Sequence, residues 1–318
     1  MQRGGVFTSA ALFSWLAGTT RLQARQRRGF GRRRIVDLAM RDPECIAFLQ
    51  WALPRLRMRW PGYRKVRRQL CKRVARRLAS LGLADTFAYR AYLETNPDEW
   101  KQLDELCPIP ISRFYRDRAI FEYLGEKVLP DMARAAQAQG SDRIQVWSVG
   151  CAAGEEPYTL AILWRLSLEQ QFPELKLQIL ATDIDREQLD RARVACYTRG
   201  SLRQLPSAWI EAAFEEIDGR RCLRAEFRAG VEFRLQDIRR QLPTETFDLV
   251  LCRNLVFTYF EEELQREIAS SLHDRLVPSG VLVLGIHEVL PPGAAGFHSL
   301  EPRLHICRRD PKCVLAAD

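Results

Sequence analysis

The stretch Val146–Leu163, reading VWSVGCAAGEEPYTLAIL, narrows the folding options of this chain more than any other. An apolar run stops at Gly150, Cys151, Ala152, Ala153 and Gly154, and then resumes with helical spacing. Strand, tight turn and helix follow, because residues this small let a backbone bend sharply and lie against a ligand without steric cost.

Charge narrows the ligand. A phosphate binder leaves its helix N-terminus free for an anion, whereas here Glu155 and Glu156 occupy that end. The two carboxylates repel a pyrophosphate and can hold an ammonium, and Gly150 to Gly154 lacks the central glycine of the dinucleotide fingerprint. A second apolar run, Leu175 to Ala181, ends in Thr182-Asp183-Ile184-Asp185, which puts Asp183 at a strand tip where nucleotide-binding folds contact ribose hydroxyls. An amino group, a ribose and no phosphate together suggest S-adenosylmethionine.

With 318 residues, 47% of them hydrophobic, the chain can bury one full core and a smaller appended unit. No apolar run approaches the ~20 residues needed to span a bilayer, so a soluble, cytoplasmic monomer without membrane insertion is expected. Nine cysteines are scattered with no Cys-x-x-Cys pair, and reduced thiols are expected. His298, His305, Cys307 and Cys313 lack zinc-ligand spacing, so no metal is expected.

Residues 1–36 hold eight arginines and no acid, which reads as a disordered basic leader or, alternatively, an organellar transit peptide. Residues 37–107 form a helical region, with Val66, Leu70, Val74 and Leu78 on one stripe of a strongly basic helix that Gly82 ends. Cys107-Pro108-Ile109-Pro110 is a linker, and Ser112–Asp117 is expected to open another helix. Residues 108–318 then form an α/β domain with strands near 144–149, 175–181, 231–234, 247–252 and 280–285, a doubly wound sheet. A small antiparallel β-subdomain is expected at about 197–228, with short strands at 214–217, 221–223 and 225–227. Arg253 and Asn254 fall at the carboxyl end of the strand Phe247–Cys252.

Four groups of segments carry a family resemblance: KVRRQLCKRVARRLASLGL, SRFYRD, WSVGCAAGEEPYTLA with ATDIDREQLDRA, and FDLVLCRNLVFTYF with LGIHEVLP. Together they resemble the CheR-type methyltransferases. The resemblance implies a helical N-terminal domain, a Rossmann-like S-adenosylmethionine domain carrying a β-subdomain, and methylation of glutamate side chains in chemotaxis receptors. It also implies that Ser112 and Arg116 lie near the cofactor, that Glu155 or Glu156 faces its methionyl group, that Asp183 takes ribose, that Asp237 and Ile238 flank adenine, and that Cys252 and Arg253 sit at the strand tip. Three positions depart from the family pattern: Pro110 replaces an asparagine, Ser112 replaces a threonine, and Tyr259 lies one residue further from Arg253 than the usual aromatic hydroxyl.

A glutamate acceptor is already ionised at neutral pH, so the reaction needs position rather than a general base. Arg116, Arg253 and Tyr259 are the expected catalytic set, the arginines aligning the carboxylate by fork-like hydrogen bonds. Ordinary pairing of either arginine with Asp117, Glu261 or Glu262 is the competing reading. The alternatives for the chain as a whole are the same fold acting on a small molecule or nucleic acid, and a non-catalytic S-adenosylmethionine sensor. The net charge of +9 fits a solvated face, a nucleic-acid footprint or an acidic protein alike; the resemblance, which implies that the basic helix lies beside the cleft, favours an acidic protein acceptor, a chemoreceptor among the candidates, over nucleic acid.

Overall fold

A computed structural model of the chain describes residues 41–294 and 296–310; the basic leader 1–36 and Cys313 lie outside the described residues. All described residues belong to one compact unit. Five helices come first: α1 (Asp42–Ala52), α2 (Trp60–Tyr63), α3 (Arg67–Leu81), α4 (Thr86–Thr95) and α5 (Glu99–Leu106). After the linker come α6 (Arg118–Tyr123), α7 (Leu129–Ala138), β1 (Arg143–Val149), α8 (Glu155–Leu163), β2 (Lys176–Asp183) and α9 (Arg186–Val194). A small insertion holds β3 (Cys196–Tyr197), α10 (Arg199–Leu202), α11 (Ser207–Ala213), β4 (Phe214–Ile217) and β5 (Arg220–Leu223). The chain closes with β6 (Val231–Leu235), β7 (Phe247–Cys252), α12 (Val256–Tyr259), α13 (Glu262–Arg275), β8 (Leu276–Leu284), β9 (Phe297–Glu301) and β10 (Ile306–Arg309).

Seven strands form the main sheet in the order β6-β2-β1-β7-β8-β10-β9. The first five pair parallel, and β10 runs antiparallel to both β8 and β9. Strand order reverses beside β1, where β2 lies on one side and β7 on the other, and open α/β sheets bind ligands at the carboxyl ends around such a point. Both faces are covered, as parallel sheets require. Ile144 and Val146 pack with Ile120, Phe121 and Leu160 on one face. On the other, Trp147 and Val149 share a core with Phe48, Leu70, Val74, Leu78 and Tyr89. The helical region therefore roofs one face of the sheet through a continuous core.

The expected strands, the doubly wound sheet and the end of the basic helix appear where the pattern put them, Gly82 capping α3 at φ 70°. Three expectations fail for tertiary reasons. Ser112–Asp117 is not helical. Tyr115 and Asp117 take positive φ, and the amides of Phe114 and Tyr115 donate to the Ser201 carbonyl and Thr159 Oγ1, both at 3.0 Å, instead of to a helix ladder. Residues 225–227 form a 3₁₀ turn, and the third strand of the insertion is β3, paired with β5. The cysteines are not all reduced: Cys45–Cys71 and Cys196–Cys222 are disulfides, while Cys107, Cys151, Cys252 and Cys307 are free. Each bridged pair is 26 residues apart, so only helix packing in one case and cross-strand register in the other brings the thiols together.

Among the described residues no helix is long and apolar enough to cross a membrane, and no cluster of three or more potential metal ligands occurs.

Candidate active site

The turn after β1 is shaped from both ends. Gly150 and Cys151 donate their amides to the Thr182 carbonyl at 2.8 and 3.0 Å, which ties the turn to the tip of β2. Gly150 sits at φ 68°, and a Cβ there would meet the Leu255 side chain at 2.6 Å. Asp183 accepts from Ala152 N at 2.7 Å and from Asp185 N at 2.9 Å, and burial pushes its carboxyl up from the ordinary range. Its carboxylate has lone pairs left for a ligand's hydroxyls.

A cleft opens above this turn, bounded by Gly150, Glu156, Asp183, the loop Gln236–Arg239, the linker and the β7–α12 loop. Of the residues expected from sequence, Ser112, Arg116, Gly150, Glu156, Asp183, Asp237, Ile238, Arg253 and Tyr259 line it. Gly154, Glu155 and Cys252 do not. A Cβ on Gly154 would meet Ala192 at 3.0 Å, so that glycine serves the packing of α8 against α9. Glu155 is 4% exposed with Oε2 unpartnered, and burial raises its carboxyl. Cys252 lies in the core beneath the strand tip, where burial pushes its thiol far up. The two adjacent acids thus separate: Glu156 meets the cleft and Glu155 points into packed protein.

The guanidinium of Arg253 corrects the sequence expectation. It is 5% exposed, and its Nη1 bonds Glu156 at 2.8 Å while Nη2 bonds Asp117 at 2.6 Å and the Arg116 carbonyl at 3.0 Å. Its fork is filled by protein carboxylates and is not open to an acceptor. Arg116 differs. It donates to the Ile111 carbonyl at 2.8 Å and to Asn254 Oδ1 at 2.9 Å, both neutral groups, so no carboxylate is bonded to it beside the cleft. Tyr259 stacks obliquely on Tyr63, ring centroids 4.9 Å apart, and burial raises its hydroxyl, which keeps the proton and can donate it.

A second, half-buried cluster went unread in the sequence. Arg239 pairs with Asp104 of α5 at 2.7 Å and with Asp237 at 2.9 Å. Arg253 is matched by two carboxylates, Glu156 and Asp117, which leaves that triad a formal charge of −1, whereas Asp237 also pairs with Arg240 at 3.5 Å, so Arg239, Arg240, Asp104 and Asp237 balance. The only local signal was the acid-basic run Asp237-Ile238-Arg239-Arg240; Asp104 lies too far along the chain for any spacing rule. Gln236, also unforeseen, lines the cleft with Oε1 buried and unpartnered.

Residues 111–303, more than half of the chain, match the family described as CheR methyltransferase, SAM binding domain. The chain is 31% identical over 235 residues to an uncharacterized 104.1 kDa protein of Rhodobacter capsulatus, a match covering 74% of this chain and 24% of that protein. It is 31% identical over 208 residues to a chemotaxis protein methyltransferase of Listeria innocua, covering 64% of this chain and 76% of that one. It is 34% identical over 182 residues to chemotaxis protein methyltransferase 1 of Pseudomonas aeruginosa, covering 56% and 65% respectively. The chain belongs to the CheR methyltransferase family, and S-adenosylmethionine is its cofactor. The cleft fits that cation chemically: the net-negative Arg253 triad, the Asp183 carboxylate and the orphaned Gln236 acceptor offer charge and hydrogen-bond capacity to sulfonium, ammonium and ribose.

Proposed function

We propose that the chain transfers a methyl group to the side-chain carboxylate of a glutamate in an acidic protein, a chemoreceptor being the leading candidate, in the cytoplasm. The cofactor supplies an electrophilic methyl group; the protein's contribution is placement. Glu156, Asp183, Ser112, Gln236 and the Asp237–Ile238 loop hold the donor. Arg116 and the protonated Tyr259 hydroxyl receive the acceptor carboxylate, which is anionic at neutral pH without help from a base. Holding carboxylate and methyl in line can supply roughly 7 kcal/mol or more of the barrier reduction. Arg253 keeps Glu156 and Asp117 in place.

The observation carrying this reading is that Arg116 lines the cleft held only by neutral acceptors, whereas Arg239 and Arg253 of the same lining are paired with carboxylates. The basic helix supports it. Arg67 pairs with Asp42, Arg77 with Glu99, and Arg73 binds the carbonyls of Leu106 and Pro108, so these three are structural. Arg68, Lys72 and Arg76 are exposed at helical spacing and form no ion pair among the described residues. They are the surface that draws in a glutamate-rich acceptor.

Incubating the protein with methyl-labelled cofactor and a purified chemoreceptor signalling fragment tests both parts. Methyl esters that release methanol in mild base are expected; base-stable N-methyl products, or label in nucleic acid, overturn the reading. The variant Arg68→Glu/Lys72→Glu/Arg76→Glu should raise the acceptor's KM about tenfold and flatten its salt dependence while cofactor affinity holds. Unchanged acceptor kinetics would remove the basic helix from the proposal.

A further inference from the structure

Glu288 lies outside the cleft, is 1% exposed, and has no cationic partner among the described residues. A buried carboxylate of that kind is costly unless hydrogen bonds replace its water. Four do. One oxygen accepts from Asn254 N at 2.6 Å and Gly285 N at 2.8 Å, the other from Leu255 N at 3.0 Å and Thr258 Oγ1 at 2.7 Å. Both oxygens are filled, and three of the four donors belong to the loop and helix start that follow Arg253.

The tightness of the arrangement is visible at Gly285, where a Cβ would lie 2.8 Å from Glu288 Oε2 and 3.1 Å from Asn254. Asn254 takes φ 56°, in the left-handed region that asparagine tolerates better than most side-chain-bearing residues, and the Glu288 bond to its amide holds it there. From that conformation its Oδ1 accepts from Arg116 Nη2 at 2.9 Å.

We propose that Glu288 is a positioning residue for methyl transfer: its carboxylate fixes the Asn254 backbone, and Asn254 in turn holds Arg116 at the acceptor end of the cleft. The kinetic consequence rests on the reading of Arg116 given above. The chain of contacts from Glu288 to Arg116 does not, and it is tested separately.

The variants are Glu288→Gln, which turns one acceptor oxygen into a donor, Asn254→Gly, which keeps the backbone conformation and deletes the amide, and the double substitution. The first readout is the rate of phenylglyoxal modification of Arg116 in the full chain, mapped by mass spectrometry, with the exposed Arg118 as internal reference. Either single variant should raise the Arg116 rate by about tenfold or more relative to Arg118, as loss of one hydrogen bond to a charged group implies, and the double should add little. The second readout is turnover: kcat falling about tenfold with unchanged cofactor affinity is the expected split. Arg116 reactivity unmoved in Glu288→Gln, or strictly additive effects in the double variant, overturns the proposal, and Asn254→Gly keeps it testable should Glu288→Gln fold poorly. Changed reactivity with unchanged kcat would retain Glu288 as the anchor of Arg116 and sink the acceptor role of Arg116 instead.

Discussion

Arg116 and Arg253 border the same cleft and are built for opposite purposes. Arg253 stands at the tip of β7 beneath the linker, with its side chain 1% exposed and its two terminal nitrogens spent on Glu156 and Asp117. Arg116 stands on the segment between the linker and α6 and spends its nitrogens on a carbonyl and an amide oxygen. Pairing with carboxylates satisfies a guanidinium electrostatically as well as geometrically; neutral acceptors orient it and leave the charge available. An arginine at a strand tip is therefore no guide to ligand contact until its partners are known.

Substituting Arg253 should have the largest effect. Arg253→Met strands two carboxylates around one cavity wall, and breaking a buried pair in this way costs about 3–5 kcal/mol, read as a lowered urea midpoint at neutral pH. A midpoint near wild type would mean that the triad is not structural and would restore Arg253 as an acceptor ligand.

Arg116→Ala should show the reverse pattern. Stability is expected to stay within about 1 kcal/mol of wild type, since no buried charge loses its partner. kcat/KM for the acceptor should fall about 100-fold, and Arg116→Lys should rescue poorly because a point charge lacks the fork. Calorimetry with S-adenosylhomocysteine separates the sites; a loss of affinity as large as the loss of turnover would place Arg116 on the cofactor.

The smallest effect tests the two acids of the turn after β1. Burial raises both carboxyls above the ordinary value of 4.5, but Glu156 has Arg253 and Ser148 as partners that oppose the shift, whereas Oε2 of Glu155 is unpartnered. A carboxyl whose folded value is raised gives stability below its unfolded value that is lost as pH rises through the folded one. Wild type should therefore lose stability relative to Glu155→Gln as pH climbs from about 4.5, the curves separating until pH passes the folded value. Curves that stay parallel from pH 4 to 8 would show that Glu155 is solvated or paired.

Much of the proposed cofactor half could be read from the sequence because its determinants are local. Gly150 with φ 68°, Glu156 at the start of α8 and Asp183 at the tip of β2 lie within single strand-to-helix turns, where small-residue runs and apolar periodicity carry the signal. The acceptor half was legible only as a resemblance. Tyr259 depends on α2, because Gly62 lets that helix ride directly on the Thr258 backbone: a Cβ there would lie 2.2 Å from the Thr258 carbonyl oxygen. Nothing in WPGY announces this neighbour.

By itself the sequence determined the alternation of strands and helices, the ligand-hugging turn and the cationic, ribose-bearing character of the ligand, since each follows from neighbouring side chains and backbone freedom. The tertiary structure decided which charges are spent and which are free. Arg253 against Asp117, Arg239 against Asp104, Arg73 against the linker carbonyls and Glu288 against Asn254 are contacts between residues 33 to 136 positions apart. The physical reason is that a side chain's charge is inert or available according to its partners and its burial, and both are set by packing between elements rather than by sequence neighbours.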